Sequence, residues 1–368
     1  MKILIFIPHM GQGGVERSFI NLSKELIKNG HNIKFVSLNK IETTYSEKLE
    51  IIKLNSNRTI FSIIKLTKII EAENPDILIS AQYYANITAI ISNQISKSKT
   101  KIIISERNHL TSALKKYNFF KKLLIKFLIR SLYNKADLIF GNSESVCQDL
   151  KEKFIFKNNI KVKKILNPAY IETVLKKSEE KINDKWVSKS SVPIIVYVGR
   201  LEAQKDIETL IKAFELINEI HNSKLLIIGS GSEKEKLNEC SLDIKNKIRH
   251  VEFDENPYKY LKYCNVFLLT SIYEGMPNVL IEAQILGMPI VATDSPGGTS
   301  EALQNGKVGL LANIKDAEDI SEKVKILLTD KKVVRNLSMN FEKSLDRFNP
   351  KRISDQIIKE ASNLAKIK

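Results

Sequence analysis

Short apolar runs rich in Ile, Val and Leu alternate with longer mixed segments along the chain. In the first half they read KILIFIP, NIKFVSL, DILIS, KIIIS and DLIFGNS, and in the second PIIVYVG, KLLIIGS, HVEF, VFLLTS and PIVAT. A run that is apolar at successive positions, rather than at alternate ones, is buried on both sides. That is the mark of a parallel sheet covered by helices on each face. Two such series predict an α/β chain of two doubly wound, Rossmann-like domains. The Ser-, Lys- and Asp-rich stretch that ends at Pro193 is the best candidate connection. The division expected is a first domain over 1–170, a linker over 171–192, a second domain over 193–349 and an amphipathic helix over 350–368 that begins at Pro350.

Ligands of such sheets bind beyond the carboxyl ends of the strands, so the residues that follow each run carry the chemistry. After the first run stands Gly11-Gln12-Gly13-Gly14-Val15-Glu16-Arg17. Glu16 replaces the third glycine of a dinucleotide fingerprint, and Asn39 and Lys40 stand where an acidic residue would end the second strand, which speaks against nicotinamide or flavin. Two readings stay open for Gly13 and Gly14: a close approach of backbone to a phosphate or sugar at a helix start, or a tight turn.

After PIIVYV comes Gly199-Arg200-Leu201-Glu202-Ala203-Gln204-Lys205-Asp206. Arg200 and Lys205 there suit a diphosphate, the guanidinium as a planar fork and the ammonium as a point charge, although two surface cations would look the same. The segment Ser271-Ile272-Tyr273-Glu274-Gly275-Met276-Pro277-Asn278-Val279-Leu280-Ile281-Glu282-Ala283 is more specific. Pro277 suits a first helical position and Gly275 frees the turn before it. The amides of Met276, Pro277's neighbour Asn278 and Val279 would then form an anion site. Glu282 would lie roughly 7–8 Å along the axis from Pro277, close to a ribose. Glu274, on the loop, could accept hydrogen bonds from sugar hydroxyls, or simply cap the helix. A further glycine loop, Asp294-Ser295-Pro296-Gly297-Gly298-Thr299-Ser300-Glu301, follows PIVAT and would wall the site.

Composition narrows the function classes. At 368 residues, 43% hydrophobic and 27% charged, the chain can build two cores. Cys147, Cys240 and Cys264 are odd in number and unclustered, which suggests buried thiols rather than disulfides or zinc. MKILIFIPHM lacks the features of a signal peptide, and no apolar run nears the roughly 20 residues of a membrane span, so a cytoplasmic location is expected. The charge is lopsided: residues 1–170 hold 28 Lys+Arg against 13 Asp+Glu (+15), and residues 171–368 hold 30 against 29 (+1). A compositional bias would load both halves, so the excess points to an anionic partner for the first. A pI near 9.4 invites a nucleic-acid reading, but no recognition module is present and 7% aromatic content gives no stacking platform.

Taken together, GGVER, GRLEAQKD, the EGMPNVLIE segment with its Glu-x7-Glu spacing and the PGG-x-x-E loop resemble the GT-B glycosyltransferases of family 4 along nearly the whole chain. The resemblance implies two Rossmann-like domains facing a cleft, a nucleotide-sugar donor on the C-terminal domain, and a last helix that crosses back to the first. It assigns Arg200 and Lys205 to the donor diphosphate and Glu274 to sugar hydroxyls, which makes these three the catalytic candidates, and it assigns Glu282 to the ribose. The backbone around Val251 and Phe253 would contact the base, with UDP favoured. It also implies transfer with retention, no metal and no cofactor, and no Asp-x-Asp motif stands at a strand end to contradict that. An epimerase or another GT-B enzyme is the rival within the fold.

Two departures stand out. Gly229-Ser230-Gly231 occupies the place of Gly-Asp-Gly, and Ser105-Glu106-Arg107-Asn108-His109 the place of a single His near the reacting sugar, so that Arg107, Asn108 and His109 are all candidates. The bacterial members most similar in character build lipid-linked oligosaccharides, O-antigen or capsule. In that setting KKYNFFKKLLIKFLIRSLYNK, with seven basic residues and no acidic one between Lys115 and Lys135, reads as a basic amphipathic helix. Through Lys121, Lys122, Lys126 and Arg130 it could lie on the inner membrane face or hold a lipid diphosphate; it could equally be a packed helix with a Lys-rich solvated face.

Overall fold

The computed structural model describes residues 1–11, 13–38, 49–155 and 161–365; Gln12, Asn39 and Lys40, quoted above, lie outside the described residues. Among the described residues the strands are β1 (Lys2–Phe6), β2 (Asn32–Ser37), β3 (Glu50–Lys53), β4 (Ile77–Ala81), β5 (Lys101–Glu106), β6 (Leu138–Gly141) and β7 (Val162–Lys164). They are followed by β8 (Ile194–Val198), β9 (Lys224–Ile228), β10 (Ile248–Val251), β11 (Val266–Leu269), β12 (Ile290–Thr293) and β13 (Leu310–Ala312). They pair in two sheets, β3-β2-β1-β4-β5-β6-β7 and β10-β9-β8-β11-β12-β13, and every pairing is parallel.

The central strands are the apolar runs. β3, β7 and β13 correspond to none of those runs, because each is an edge strand in which, Ala312 aside, no residue is buried. β10 is another edge: it lies two residues earlier than HVEF, so Glu252 and Phe253 fall just beyond its end.

The first sheet is covered on both faces. Helices Ile63–Glu73, Tyr83–Ile95, Phe119–Leu132 and Glu144–Lys153 pack Leu66, Ile90, Ile129 and Leu150 on Leu4, Leu78 and Ile104. On the other face Phe19 and Leu22 of helix Gly14–Lys28, with Ile353 and Ile357 of helix Pro350–Ala365, cover Ile5 and Ile79. In the second sheet β8, β9, β11 and β12 are buried almost throughout, and helices Ile207–Ile220 and Ala317–Thr329 bring Leu210, Phe214, Ile320 and Val324 to that core.

The chain forms two compact units: Met1–Ala169 with Phe348–Lys368, and Tyr170–Arg347. The stretch 171–192 expected as a linker is therefore part of the second unit. It holds helices Ile171–Ser178 and Lys185–Ser188, buries Val174 and Val187, and is tied down by Asn256 Nδ2 to the Lys177 carbonyl (2.9 Å) and Arg249 Nε to Asp184 (3.1 Å). Its polar composition hid two apolar anchors. The strand order of each sheet reverses once, between β1 and β4 and between β8 and β11, and a crevice opens at such points.

Candidate functional site

In the second unit, the loops after β8, β11 and β12 meet at the β8/β11 reversal. A short 3-10 turn, Ala203–Lys205, follows β8 and ends at Asp206, whose left-handed φ of 51° turns the chain into helix Ile207–Ile220. This places Lys205 against Glu274. The two form an ion pair, and both are buried, at 9% and 6% exposure. The Ser271 hydroxyl donates to Glu274 Oε1 (2.6 Å), so one carboxylate oxygen is held by two donors.

Backbone bonds fix this arrangement. Gln204 Nε2 donates to the Tyr273 carbonyl (2.8 Å), the Ile272 amide to the Gln204 carbonyl (2.8 Å) and the Thr270 hydroxyl to the Lys205 carbonyl (2.8 Å). The Glu274 amide donates to the Pro296 carbonyl (2.9 Å), and Gly297 passes so close that a Cβ there would lie 2.1 Å from the Glu274 carbonyl oxygen. The loop after β12 thus packs directly against Glu274. Sequence reasoning did not reach Ser271 and Gln204, since nothing in the motifs says which way those side chains turn.

Arg200, unlike Lys205, is exposed. Its carbonyl accepts from the Tyr197 hydroxyl (3.0 Å), a phenol that burial and the Glu274 carboxylate push well above its ordinary pKa. Helix Asn278–Ile285 begins one residue later than expected: Pro277 flanks it with ψ 101° instead of being its first residue, and the Leu280 amide bonds the Pro277 carbonyl (3.1 Å). Gly275, Met276 and Pro277 are buried, while Asn278 and Val279 are half-buried. Glu282 is also half-buried, although Leu280, Ile281, Ala283 and Gln284 around it are covered.

The neighbouring loop, Val251–Phe253, is held by Ser230. Its hydroxyl donates to Glu252 Oε2 (2.5 Å) and accepts from the Phe253 amide (3.1 Å), and Lys234 pairs with the same carboxylate. Lys234 and Ser230 pull the Glu252 carboxyl down to about 2. An aspartate in place of Ser230 would set two carboxylates together. Gly229, at φ 141°, sits where a Cβ would fall 2.0 Å from the Gly199 carbonyl oxygen, so this turn requires glycine.

The first unit carries the remaining candidates at the carboxyl ends of its own strands. Gly13 precedes helix Gly14–Lys28, and a Cβ on it would meet Glu16 Oε2 at 2.4 Å: Glu16 folds back over the helix start, as in a tight turn. Successive residues at the end of β5 point to opposite faces. Glu106 is buried among the Asn86 amide (2.8 Å) and the Tyr133 hydroxyl, and burial raises its pKa to about 7. Arg107 lies in a small cleft with Ser18, Phe19, Phe140, Ile353 and Ile357; it donates to Ser18 Oγ (2.8 Å) and stacks 4.7 Å over the Phe19 ring. Burial lowers it to about 10, so it stays cationic at neutral pH.

Asn108 is half-buried. His109 is a helix cap: Nδ1 meets the Ser112 hydroxyl (3.0 Å) and amide (3.4 Å), Nε2 lies 3.8 Å from Asp149, and burial lowers its pKa.

Helix Phe119–Leu132 turns Ile125 and Ile129 inward but leaves Phe119, Phe120, Leu123, Leu124 and Phe127 exposed. Its outer face is therefore apolar, not the Lys-rich solvated face of the blander reading. Lys121 lies over the Tyr117 ring (4.3 Å), Lys122 and Lys126 are half-buried, and Arg130 donates to the Lys153 carbonyl (3.2 and 3.1 Å), where it caps a neighbouring helix.

Sequence profiles cover both units: Glycosyltransferase Family 4 matches residues 12–164, and Glycosyl transferases group 1 matches residues 178–344. The chain belongs to glycosyltransferase family 4. This family 4 glycosyltransferase is 29% identical, over 94% of its length and 96% of the relative's, to a Campylobacter jejuni N-acetylgalactosamine-N,N'-diacetylbacillosaminyl-diphospho-undecaprenol 4-alpha-N-acetylgalactosaminyltransferase. It is 27% identical, over 81% of its length and 78% of the relative's, to the capsular polysaccharide biosynthesis glycosyltransferase CapM of Staphylococcus aureus. Its fold is GT-B: HepE of Anabaena in complex with UDP superposes with TM-score 0.77 at 17% identity over 99% of this chain and 100% of that one. No helix among the described residues of the glycosyltransferase is long and apolar enough to cross a membrane.

Proposed function

We propose that this glycosyltransferase moves a hexose or N-acetylhexosamine from a UDP-linked donor to a lipid-linked glycan, with retention and without a metal ion, as a peripheral enzyme of surface polysaccharide synthesis. The observation that carries the proposal is the buried Lys205–Glu274 pair beside exposed Arg200 at the β8/β11 reversal. Two cations in the loop after one strand fit a leaving diphosphate, and the fixed position of Lys205 avoids reorganisation as charge develops. The bond from the anomeric carbon to the diphosphate oxygen breaks and that from the same carbon to the acceptor oxygen forms on the same face. The acceptor proton passes to the departing phosphate, which explains why no protein base is needed.

Glu274, held by Lys205 and Ser271, keeps a second oxygen for a sugar hydroxyl. Glu282 takes the ribose, the residues around Asn278 and Val279 take phosphate, and the backbone of Val251–Phe253 takes the base. The support for UDP is the Anabaena neighbour, solved with UDP and with UDP-glucose. The support for the acceptor is the diphospho-undecaprenol in the Campylobacter relative's name, together with the cationic, apolar helix Phe119–Leu132. Arg107 and Asn108, just after β5, would meet the reacting sugar, and Lys121, Lys122 and Lys126 the lipid diphosphate.

A thermal-shift panel of nucleotide sugars tests the donor, since a ligand of the native state raises the melting temperature. UDP-sugars should shift it and GDP-sugars should not. Incubation of the preferred donor in chelator with an undecaprenyl-diphosphate glycan should then extend the glycan. Conversion of the sugar itself without acceptor would show an epimerase instead.

A further inference from the structure

The exposed apolar residues of the first unit are not scattered. Among the described residues of that unit, every exposed large apolar side chain except Ile27 lies on one of three elements: the turn and helix 59–73, helix Tyr83–Ile95, and helix Phe119–Leu132. These elements share one face of the sheet, and helix Tyr83–Ile95 packs against both of the others. The Tyr83 and Tyr117 hydroxyls join it to the segment before the third (2.7 Å). In the first element Phe61 is 70% and Ile64 60% exposed, with Ile60 beside them; in the third Phe120 is 81% and Phe127 65% exposed.

The charge around them has one sign. Arg58, Lys65 and Lys68 flank the first group, and no acidic residue occurs between Leu54 and Ile70. Between Glu106 and Asp137 there is again none, and helix Tyr83–Ile95 carries no charged residue at all. The helices lead into β4 and β6 of a parallel sheet, so their first turns, which bear Phe61, Ile64, Phe119 and Phe120, stand at the carboxyl end of the strands. That is the ligand-binding end of the unit. A protein partner would require acidic or apolar complementarity at two separate cationic sites; an anionic bilayer interface supplies apolar depth and negative charge at both.

We infer that the first unit docks on anionic lipid through two contacts, Ile60–Ile64 with Arg58, Lys65 and Lys68 as well as helix Phe119–Leu132, with the uncharged helix Tyr83–Ile95 between them. The inference deepens the proposed membrane association and rests on it. Two contacts fix the tilt of the unit on the membrane, where one helix would leave it free to rotate, and hold the ligand-binding end toward the lipid.

The test is sedimentation of the full chain with vesicles of phosphatidylcholine alone or mixed equally with phosphatidylglycerol. The variants Phe61→Glu/Ile64→Glu and Phe120→Glu/Leu124→Glu alter exposed positions, and melting curves verify that they fold. Wild type should bind the anionic vesicles, and each variant should bind about tenfold more weakly, the effect of removing two inserted side chains and adding two repelled charges. Wild-type binding by Phe61→Glu/Ile64→Glu overturns the second contact. A wild-type chain that ignores vesicles but changes its oligomeric state with that variant overturns the lipid assignment in favour of self-association. Transfer to a short-chain, water-soluble acceptor is measured in parallel. If it is absent while vesicle binding responds as expected, the acceptor proposal fails and the docking face stands.

Discussion

Replacing Lys205 with Met separates the structural and chemical roles of the buried pair. The substitution keeps the volume of the stem but leaves the Glu274 carboxylate, 6% exposed, with Ser271 as its remaining side-chain donor. An uncompensated buried charge costs roughly 3–5 kcal/mol. For a unit of this size that lowers the melting temperature by on the order of 10 °C. Glu274→Gln in the same chain removes the stranded charge while still offering the Ser271 hydroxyl an amide oxygen. The double variant Lys205→Met/Glu274→Gln should therefore recover all but about 2 kcal/mol, the cost of an imperfectly paired amide. Transfer should not recover with it. A fixed donor to developing charge is worth about 10²–10³ in kcat, and neither Met nor Gln supplies one. Urea or thermal melts give the first quantity, and initial rates with saturating UDP-sugar give the second. A double variant that regains activity along with stability would make Lys205 a structural cation only, and the assignment of the leaving-group site to it would be refuted.

Gly229→Ala should destabilise the second unit and weaken UDP binding, because its Cβ must fall within 2.0 Å of the Gly199 carbonyl oxygen at a φ of 141°; a calorimetric titration showing unchanged affinity would contradict this. Ser230→Asp, although it restores the commoner residue, sets a second carboxylate against Glu252 in place of a 2.5 Å hydrogen bond, so the loop 251–253 should loosen and the dissociation constant for UDP should rise roughly three- to tenfold. Glu106 has a folded pKa of about 7 against an ordinary 4.5. The unfolded chain releases this proton first, so stability is lost as pH rises from about 4.5 to about 7 and is flat beyond; Glu106→Gln should remove that slope from a plot of melting temperature against pH and stabilise the protein by a few kcal/mol at pH 8. His109→Ala should cost about 1 kcal/mol of stability, the loss of a cap, while transfer stays within a few-fold of wild type; abolished transfer in a folded variant would instead make it a catalytic group.

The sheets were legible because their central strands are buried on both faces, and burial on both faces writes itself as continuous Ile, Val and Leu. Where burial is partial the signal fades: β3, β7, β10 and β13 are all edge strands and were missed or misplaced. The meeting of Lys205 with Glu274 was legible for another reason. Both stand in short segments at strand ends, so topology alone brings their loops together. What a linear pattern cannot encode is the direction of a side chain. Arg107 and His109 stand in one pentapeptide, yet one lies in a cleft over Phe19 and the other caps a helix turn, and Glu106, the last residue of β5, is sunk beneath Tyr133. The stretch 171–192 shows the converse: polar composition read as a connection, although Val174 and Val187 were enough to seat it in a core.

On the proposed roles the two units would use charge in opposite ways, which would explain why the net excess sits in one half. In the second unit several cations near the strand ends are matched: Lys205 with Glu274, Lys234 with Glu252, Lys236 with Glu233. The proposed nucleotide donor is small and would bring its own two charges to one strand end, where local pairing can set its position and a surrounding field would add little beyond about 10 Å of screening at 0.1 M salt. In the first unit the cations around Phe61 and Phe120 have no acidic neighbours in sequence, and on the proposed docking face their contributions would sum over a surface. An extended anionic surface interacts with all of them at once, at about 1 kcal/mol for each cation that reaches it. Balanced charge where a soluble ligand must be oriented, and unbalanced charge where a surface must be found, is the division expected of an enzyme whose donor is dissolved and whose acceptor is fixed in a membrane.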